Sequence, residues 1–356
     1  MRDEYRNITE AMRRPDFLVL RKETSSGHEG FDENIIEFWE KFRPKAKDFK
    51  GFVPDDQTRK DRARLEELNG KFDFKTRVGE LFGYCAMEGI GNNDWFGENC
   101  DVVPAHEFDD VVNGTDLIAC FKREGGPSIK LAIDVTISEV VPELKRKRDR
   151  IIGDLRKGRM HPIKYFCLRD EHDEPRGEIL MPKVIIGTTR EEAEKLFEDF
   201  CQVLDEKGTE AQDISKSIFQ RELLRQIRHQ LGVFLEVGIQ SLIENNRQKK
   251  SPIFLELESY FEKIRSLTPD QEVGSREYQE LADFLKRNKE ELIALEKEGG
   301  QTATDYCGTI YKHLEVLEVI DTIDKEKSSQ GIELPPEARN QTERQLEVLD
   351  KEELFV

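Results

Sequence analysis

The sequence predicts an α/β protein with a mixed sheet, joined to a second region made of helices. Between residues 77 and 166, a helical period alternates with short apolar runs bounded by turn residues, in the order helix, three strands, helix, strand. From Thr209 onward, apolar residues recur at helical spacing over more than thirty residues, and shorter helical patterns follow. The predicted fold class is therefore an α/β core with an added C-terminal helical region.

Composition narrows the class of protein. At 356 residues, with 37% charged residues, a mean hydropathy of -0.68 and a formal net charge of -18, the chain has room for two domains. No apolar run reaches the roughly 20 residues that cross a bilayer, and the N-terminal residues lack the apolar core of a secretory signal. The six cysteines are scattered without a CxxC pair, as is typical of reduced core cysteines. We expect a cytoplasmic protein with no membrane partner.

Four regions follow from the changes in composition. The C-terminal helical patterns predict a bundle that contacts a protein partner or a second copy of this chain. The Glu-rich end of the chain predicts a loosely held tail. The regions are an N-terminal helical arm (1–70), the α/β core (71–207), a helical bundle or interaction region (208–327) and an acidic tail (328–356).

Within the core, each element has a local signal. An amphipathic pattern predicts a helix over residues 72–87, and the Gly- and Asn-rich residues 89–105 predict a loop. A hairpin should follow, with a strand over 108–112, a turn at Asn113-Gly114 and a return strand over 116–121. The last elements predicted are a strand over 129–137, a helix from Pro142 to Gly158 and strands over 162–168 and 181–189.

Two aspartates occupy positions where a buried strand has no use for an acid. Asp116 opens the second apolar run, and Asp134 lies inside the third run. If these strands pair, both carboxyl groups can lie at one end of the sheet, where like charges are costly unless a cation lies between them. Oxygen ligands of this kind suit Mg²⁺ or Mn²⁺. Glu80, on the preceding helix, is either a third ligand of the metal or its water, or a solvated boundary residue.

The strongest basic cluster of this acidic chain follows the third strand. Residues 145–164 contain nine Lys or Arg against two acids, which predicts contact with a phosphate backbone or, more simply, a solvated helix face. By helical geometry, Lys145 and Lys147 lie on either side of the apolar face, and either could reach a sheet edge. The residues predicted to bind nucleic acid are Lys145, Arg146, Lys147, Arg148, Arg150, Arg156, Lys157 and Arg159.

The order of elements, with acids at these positions, resembles the PD-(D/E)xK superfamily of restriction-endonuclease-like nucleases. The resemblance covers roughly residues 72–200. In that family, an acid at the start of the second strand is followed on the third strand by an acid, any residue and a lysine. Asp116 and Asp134 match the two acids, and Glu80 matches a glutamate that some members contribute from the preceding helix. Thr136 stands where the family has its lysine.

The resemblance implies metal-dependent hydrolysis of phosphodiester bonds, in DNA rather than RNA. The implied metal ligands for Mg²⁺ or Mn²⁺ are Asp116, Asp134, Glu80 and the backbone carbonyl of Val135. Some family members supply the lysine from the next helix, which here would be Lys145 or Lys147. Without such a lysine, the alternative is a catalytically inactive nuclease-like module that binds nucleic acid or protein. A third interpretation is a scaffold in which the C-terminal helices do the work.

Overall fold

The structure is a computed structural model, and it describes residues 43–69, 77–137, 141–167, 177–204, 214–249, 251–265, 276–297 and 305–332. Most of the predicted N-terminal arm and the acidic tail beyond residue 332 lie outside these ranges. The chain divides into two compact units: the first contains residues 1–139, 162–180 and 185–221, and the second residues 140–161, 181–184 and 222–356. None of the described helices is long and apolar enough to cross a membrane.

Helices and strands are interspersed up to residue 204, and the described elements after it are all helical, which confirms the predicted α/β class and the C-terminal helical region. The strands are β1 (Cys100–Pro104), β2 (Leu117–Arg123), β3 (Gly126–Ile137), β4 (His161–Phe166), β5 (Gly177–Met181) and β6 (Lys183–Thr188). The helices are α1 (Asp55–Asn69), α2 (Arg77–Asn92), α3 (Glu107–Val111), α4 (Val141–Leu155), α5 (Arg190–Leu204), α6 (Ile218–Asn246), α7 (Pro252–Arg265), α8 (Arg276–Arg287), α9 (Lys289–Lys297) and α10 (Tyr306–Ser329).

A mixed four-stranded sheet, in the order β1-β2-β3-β6, forms the centre of the first unit. β2 is antiparallel to both neighbours, with Leu117 opposite Pro104 on one side and Ile133 on the other. The apolar runs of β1 and β2 are buried along almost their whole length, because the sheet is covered by other elements of the unit. β4, which corresponds to the strand predicted over 162–168, pairs with β5 in a separate two-stranded sheet. The strand next to β3 is β6.

Two glycines of helix α2 allow close packing, one against the sheet and one against the segment that follows the helix. A Cβ atom on Gly91 would lie 3.0 Å from Cγ1 of Val102 in β1, and one on Gly89 would lie 2.4 Å from the Trp95 ring. Trp95 is fully buried, and its indole N–H donates to the Ile214 carbonyl oxygen at 2.9 Å. These glycines therefore belong to the helix, where they allow close approach, and not to the predicted loop.

The predicted first hairpin is wrong. Residues 108–112, expected as a strand, fall largely in helix α3, and the strand that pairs with β2 is β1, inside the stretch predicted as a loop. His106 starts the helix, since its Nδ1 accepts a hydrogen bond from the Phe108 N–H at 3.1 Å. The helix is followed by Gly114, whose φ of 65° is left-handed and whose N–H donates to the Asp110 carbonyl.

In the second unit, α6 and α10 lie side by side and run in opposite directions. Near one end, the Asn245 amide donates to the Tyr306 hydroxyl at 3.0 Å, and near the other, Arg228 forms an ion pair with Asp321 at 3.0 Å. Between these contacts, a Cβ on Gly238 would lie 3.2 Å from Ile310. The helical spacing in the sequence thus corresponds to long helices packed along their length.

Candidate metal site and its surroundings

Asp116 lies just before β2 and is fixed by hydrogen bonds on both sides. Its N–H donates to the Ile133 carbonyl at 3.0 Å, and its own carbonyl accepts from the Ala105 N–H at 2.8 Å. Its carboxylate Oδ2 accepts from the Val135 N–H at 2.7 Å. Because Ile133 and Val135 flank Asp134 in β3, these bonds place the two aspartates next to each other at the end of the β2–β3 pair.

The hydrogen bond from Val135 has two interpretations. It satisfies an N–H at a strand end where the ladder of backbone bonds stops, which is a structural role for the Asp116 carboxylate. A carboxylate has about four acceptor positions on its two oxygens, so this bond leaves capacity for a cation. Asp134 is 4% exposed, and a carboxylate buried to this extent requires compensating hydrogen bonds or positive charge.

The position two residues after Asp134 is enclosed. Thr136 is 8% exposed, and Gly187 in β6 lies so close that a Cβ there would be 3.4 Å from Thr136 Cγ2. This side of β3 therefore packs against β6. A lysine for the site would have to come from another element, as the sequence analysis expects of Lys145 or Lys147.

The predicted basic residues of α4 belong to the second unit, whereas Asp116 and Asp134 belong to the first. Lys145 and Lys147 are half-buried. Arg148 is 2% exposed, and its guanidinium donates to the Asp149 carboxylate at 2.7 Å, so it is not part of an exposed surface. The exposed members of the predicted set are Arg146, Arg150, Arg156, Lys157 and Arg159.

Two glutamates of α2, Glu80 and Glu88, bear on the predicted metal site. The side chain of Glu80 lies outside the described part of the structure. Its position is about three helical turns before Gly91, so the backbone places it on the stripe of α2 that faces β1. Glu88, near the C-terminal end of α2, is 7% exposed and accepts a hydrogen bond from the Asn92 amide at 2.7 Å. Burial raises the pKa of Glu88 to about 7, opposed by the bond from Asn92.

A buried polar cluster between α1, α3 and β4 has no counterpart among the sequence-based predictions. Asp61, 6% exposed, accepts from Lys164 Nζ at 2.7 Å and from the Tyr165 hydroxyl at 2.8 Å. Burial, followed by the bond to Asp61, raises the pKa of Tyr165. The ring of His106 stacks on Tyr165 at 4.3 Å, and burial, followed by the charge of Arg43, lowers the pKa of His106 to about 4. Lys164, the last residue of the basic cluster, is therefore neutralised by Asp61.

Comparison with known proteins adds no family: no family model, no curated protein and no solved structure matches this chain. Within the described ranges, no group of three or more His, Cys, Asp or Glu side chains is arranged to hold a metal ion. The side chain of Glu80, the predicted third acid, is not among the described groups. The arrangement that remains is a pair of neighbouring aspartates, and Mg²⁺ often binds to one or two carboxylates while it keeps several water ligands.

Proposed function

We propose that this chain is a metal-dependent phosphodiester hydrolase that acts on nucleic acid, with DNA as the first substrate to test. One observation supports this most: Asp116 bonds to the residues on both sides of Asp134, so that two acids lie together at a sheet end. Two neighbouring like charges are unfavourable unless a cation lies between them, and carboxylate oxygens are ligands that a hard cation prefers.

Each residue then has a role. Asp116 and Asp134 hold the ion, with Glu80 and the Val135 carbonyl as further oxygen ligands. When Mg²⁺ or Mn²⁺ is bound, it supplies a water ligand of lowered pKa and neutralises charge on the scissile phosphate. The resemblance implies a lysine that orients this water, for which it offers Lys145 or Lys147 of the second unit. The exposed basic residues of α4, also in the second unit, are by themselves a candidate surface for salt-sensitive contacts with phosphates.

Cleavage assays test this proposal. The full chain with Mg²⁺ or Mn²⁺ should nick supercoiled plasmid or degrade single strands, and Asp134→Asn should lower the rate by about 100-fold or more, because an anionic metal ligand is lost. A matched control is Asp101→Asn, because Asp101 is 9% exposed on β1 of the same sheet and forms an ion pair with Lys122 at 2.8 Å. Equal rates for wild type and Asp134→Asn would exclude this site, and so would an equal loss in the control.

A second candidate function is a non-catalytic module that binds nucleic acid or protein. It is favoured by Thr136, which packs where the related nucleases have a lysine, and by the structural use that Val135 makes of the Asp116 carboxylate. This candidate predicts that oligonucleotides bind equally well with EDTA and with Mg²⁺, and that no divalent ion produces cleavage. Metal-dependent cleavage that is lost in Asp134→Asn would exclude it.

A further inference from the structure

The ring of His106 lies between helix α3 and residues 43–53, which precede α1. It stacks on the ring of Tyr165 in β4 with centroids 4.3 Å apart, and it meets the ring of Phe49 edge to face at 5.8 Å. Phe49 belongs to the 3-10 turn Ala46–Phe49 and is 1% exposed. The imidazole is therefore enclosed between a strand of the first unit and the segment before α1.

The same ring caps helix α3, and this role requires a neutral imidazole. Its Nδ1 accepts a hydrogen bond from the Phe108 N–H at 3.1 Å, so Nδ1 carries no proton. A protonated imidazole is a donor at both nitrogens and cannot accept this bond. Protonation would leave the Phe108 N–H without its acceptor and would place a cation beside the first N–H groups of the helix, which already carry partial positive charge.

The charges around His106 come from residues 43–53, from α1, from β4 and from α3 itself. Two of the acids are already ion-paired, Asp61 with Lys164 and Asp110 with Arg43. Burial, followed by the charge of Arg43, lowers the pKa of His106 to about 4. The complete set of charged and titratable groups on these elements near the ring is Arg43, Lys45, Asp48, Asp61, Glu107, Asp109, Asp110, Lys164 and Tyr165.

We propose that His106 is a pH-sensitive switch that holds residues 43–53 on the first unit at neutral pH and releases them in acid. Near pH 7 the neutral ring caps α3 and packs between Phe49 and Tyr165. In acid, a state in which this contact has opened binds a proton that the closed state excludes, so the open state is favoured. The inference goes beyond the proposed function, because it requires neither a metal nor a substrate.

The size of the effect follows from the two pKa values. An imidazole in water has a pKa near 6.5, whereas the enclosed ring has a pKa of about 4. The closed state is fully stabilised above pH 6.5, and this stabilisation is lost as the pH falls toward 4. Between pH 7 and pH 5, the open fraction should rise by about 20- to 30-fold. Glu88 titrates in the same range with the opposite sign, because a lower pH stabilises the folded chain through it, so it cannot cause this opening.

Hydrogen exchange of the full chain at pH 7 and pH 5 measures the opening, once each amide is corrected for its intrinsic exchange rate. The N–H groups of Phe108, Phe52 and Val53 report it, since the first donates to His106 and the other two donate to the Phe49 carbonyl. In the wild type, their protection should fall by about 20- to 30-fold from pH 7 to pH 5. His106→Asn should abolish this fall, because an asparagine side chain can cap α3 but does not titrate.

The matched control is His161→Asn. His161 is a half-buried histidine at the start of β4 and belongs to the second unit, so the fall at residues 43–53 should persist in this variant. An NMR titration of the wild-type imidazoles is the second measurement, and it does not depend on whether a variant folds. It should give His106 a pKa well below 6.5.

Four results would overturn the switch. They are equal protection at both pH values in the wild type, a fall of the same size in His106→Asn, and a pKa near 6.5 for His106 in the folded chain. The fourth is an equal fall at the Leu131 amide in β3, which would show that acid acts on the whole unit and not on this contact.

Discussion

Carboxylates in the first unit differ in their surroundings. Asp109, fully buried, accepts from the N–H groups of Lys164 and Tyr165, both at 2.9 Å, and from the Asn113 amide at 2.7 Å. Its oxygens are thus occupied by three donors, and its role is structural. Asp116 accepts from Val135 at the strand end, next to a second acid. We therefore expect a cation, if one is bound, at the acid that lies next to another acid and not at Asp109.

Glu88 is a third case. One of its oxygens accepts from Asn92, and the other, Oε1, has no hydrogen-bond partner among the described residues. Burial raises the pKa of Glu88 from 4.5 to about 7. As the pH rises above 4.5, the unfolded chain loses this proton while the folded chain keeps it until about pH 7. The free energy of unfolding therefore falls across this window and stays lowered above it.

Glu88→Gln should remove this loss of stability. A difference of this size between the two pKa values corresponds to about 3 kcal/mol, from which about 1 kcal/mol is subtracted for a buried amide without an acceptor. The variant should be more stable than wild type by about 2 kcal/mol at pH 8 and slightly less stable at pH 4. Urea denaturation at both pH values measures this. The same change in stability at both would show that Glu88 does not titrate in this range.

Among the secondary-structure elements, helix α3 stands where the sequence predicted a strand. Its side chains make contacts that hold β4. The N–H groups of Lys164 and Tyr165 in β4 donate to the carboxylate of Asp109 in α3, and not to the carbonyl groups of a neighbouring strand. A short helix thus serves the backbone of a strand as a neighbouring strand would. This contact, with Phe108 packed against Tyr165 at 5.8 Å, ties α3 to β4.

Asp109→Asn should weaken the hydrogen bonds between α3 and β4. An amide in place of the carboxylate directs its own N–H toward backbone donors, and each unsatisfied buried group costs about 1–3 kcal/mol. We expect the free energy of unfolding to fall by about 2–4 kcal/mol in urea denaturation. Glu107→Gln is the matched control, because Glu107 is an exposed acid on the same helix, and this variant should change stability by less than about 0.5 kcal/mol. Similar losses for both variants would show that the Asp109 contacts contribute little.

The elements that sequence predicted correctly are those with long periodic patterns. Helix α4, strand β3 and the long helix α6 lie within a few residues of their predicted positions, because periodicity over many residues reports which face is buried. Residues 100–112 were misassigned because their structure is decided by distant partners. β1 exists through its pairing with β2, and the buried Asp109 reads as a polar strand end until its partners on β4 are known.

The site was predictable to the extent that it is local. The sequence places Asp116 at the start of one predicted strand and Asp134 inside the next, and these strands do pair. The register that makes the two residues neighbours follows from antiparallel strands joined by a short turn. The basic residues were predicted less well, since Arg148 pairs with Asp149 and Lys164 pairs with Asp61. Whether a charge is exposed or paired depends on packing that periodicity alone does not contain.

At the scale of the whole molecule, charge distribution sets the conditions for contact with nucleic acid. A formal net charge of -18 repels a polyanion at long range, so binding depends on local basic surfaces and on salt that screens the repulsion. The exposed basic residues of α4, in the second unit, are the local surface that we propose for such contact. If they bind a phosphate backbone, the affinity should fall as the salt concentration rises.

We propose that the neighbouring residues Asp116 and Asp134 hold a divalent ion. Calorimetric titration of Mn²⁺ into the full chain tests it directly, because it requires neither a substrate nor a lysine. We predict saturable binding in wild type and in the Asp101→Asn control, and its loss in the double variant Asp116→Asn with Asp134→Asn. Binding of equal stoichiometry and affinity in the double variant, or no saturable binding in wild type, would contradict the account.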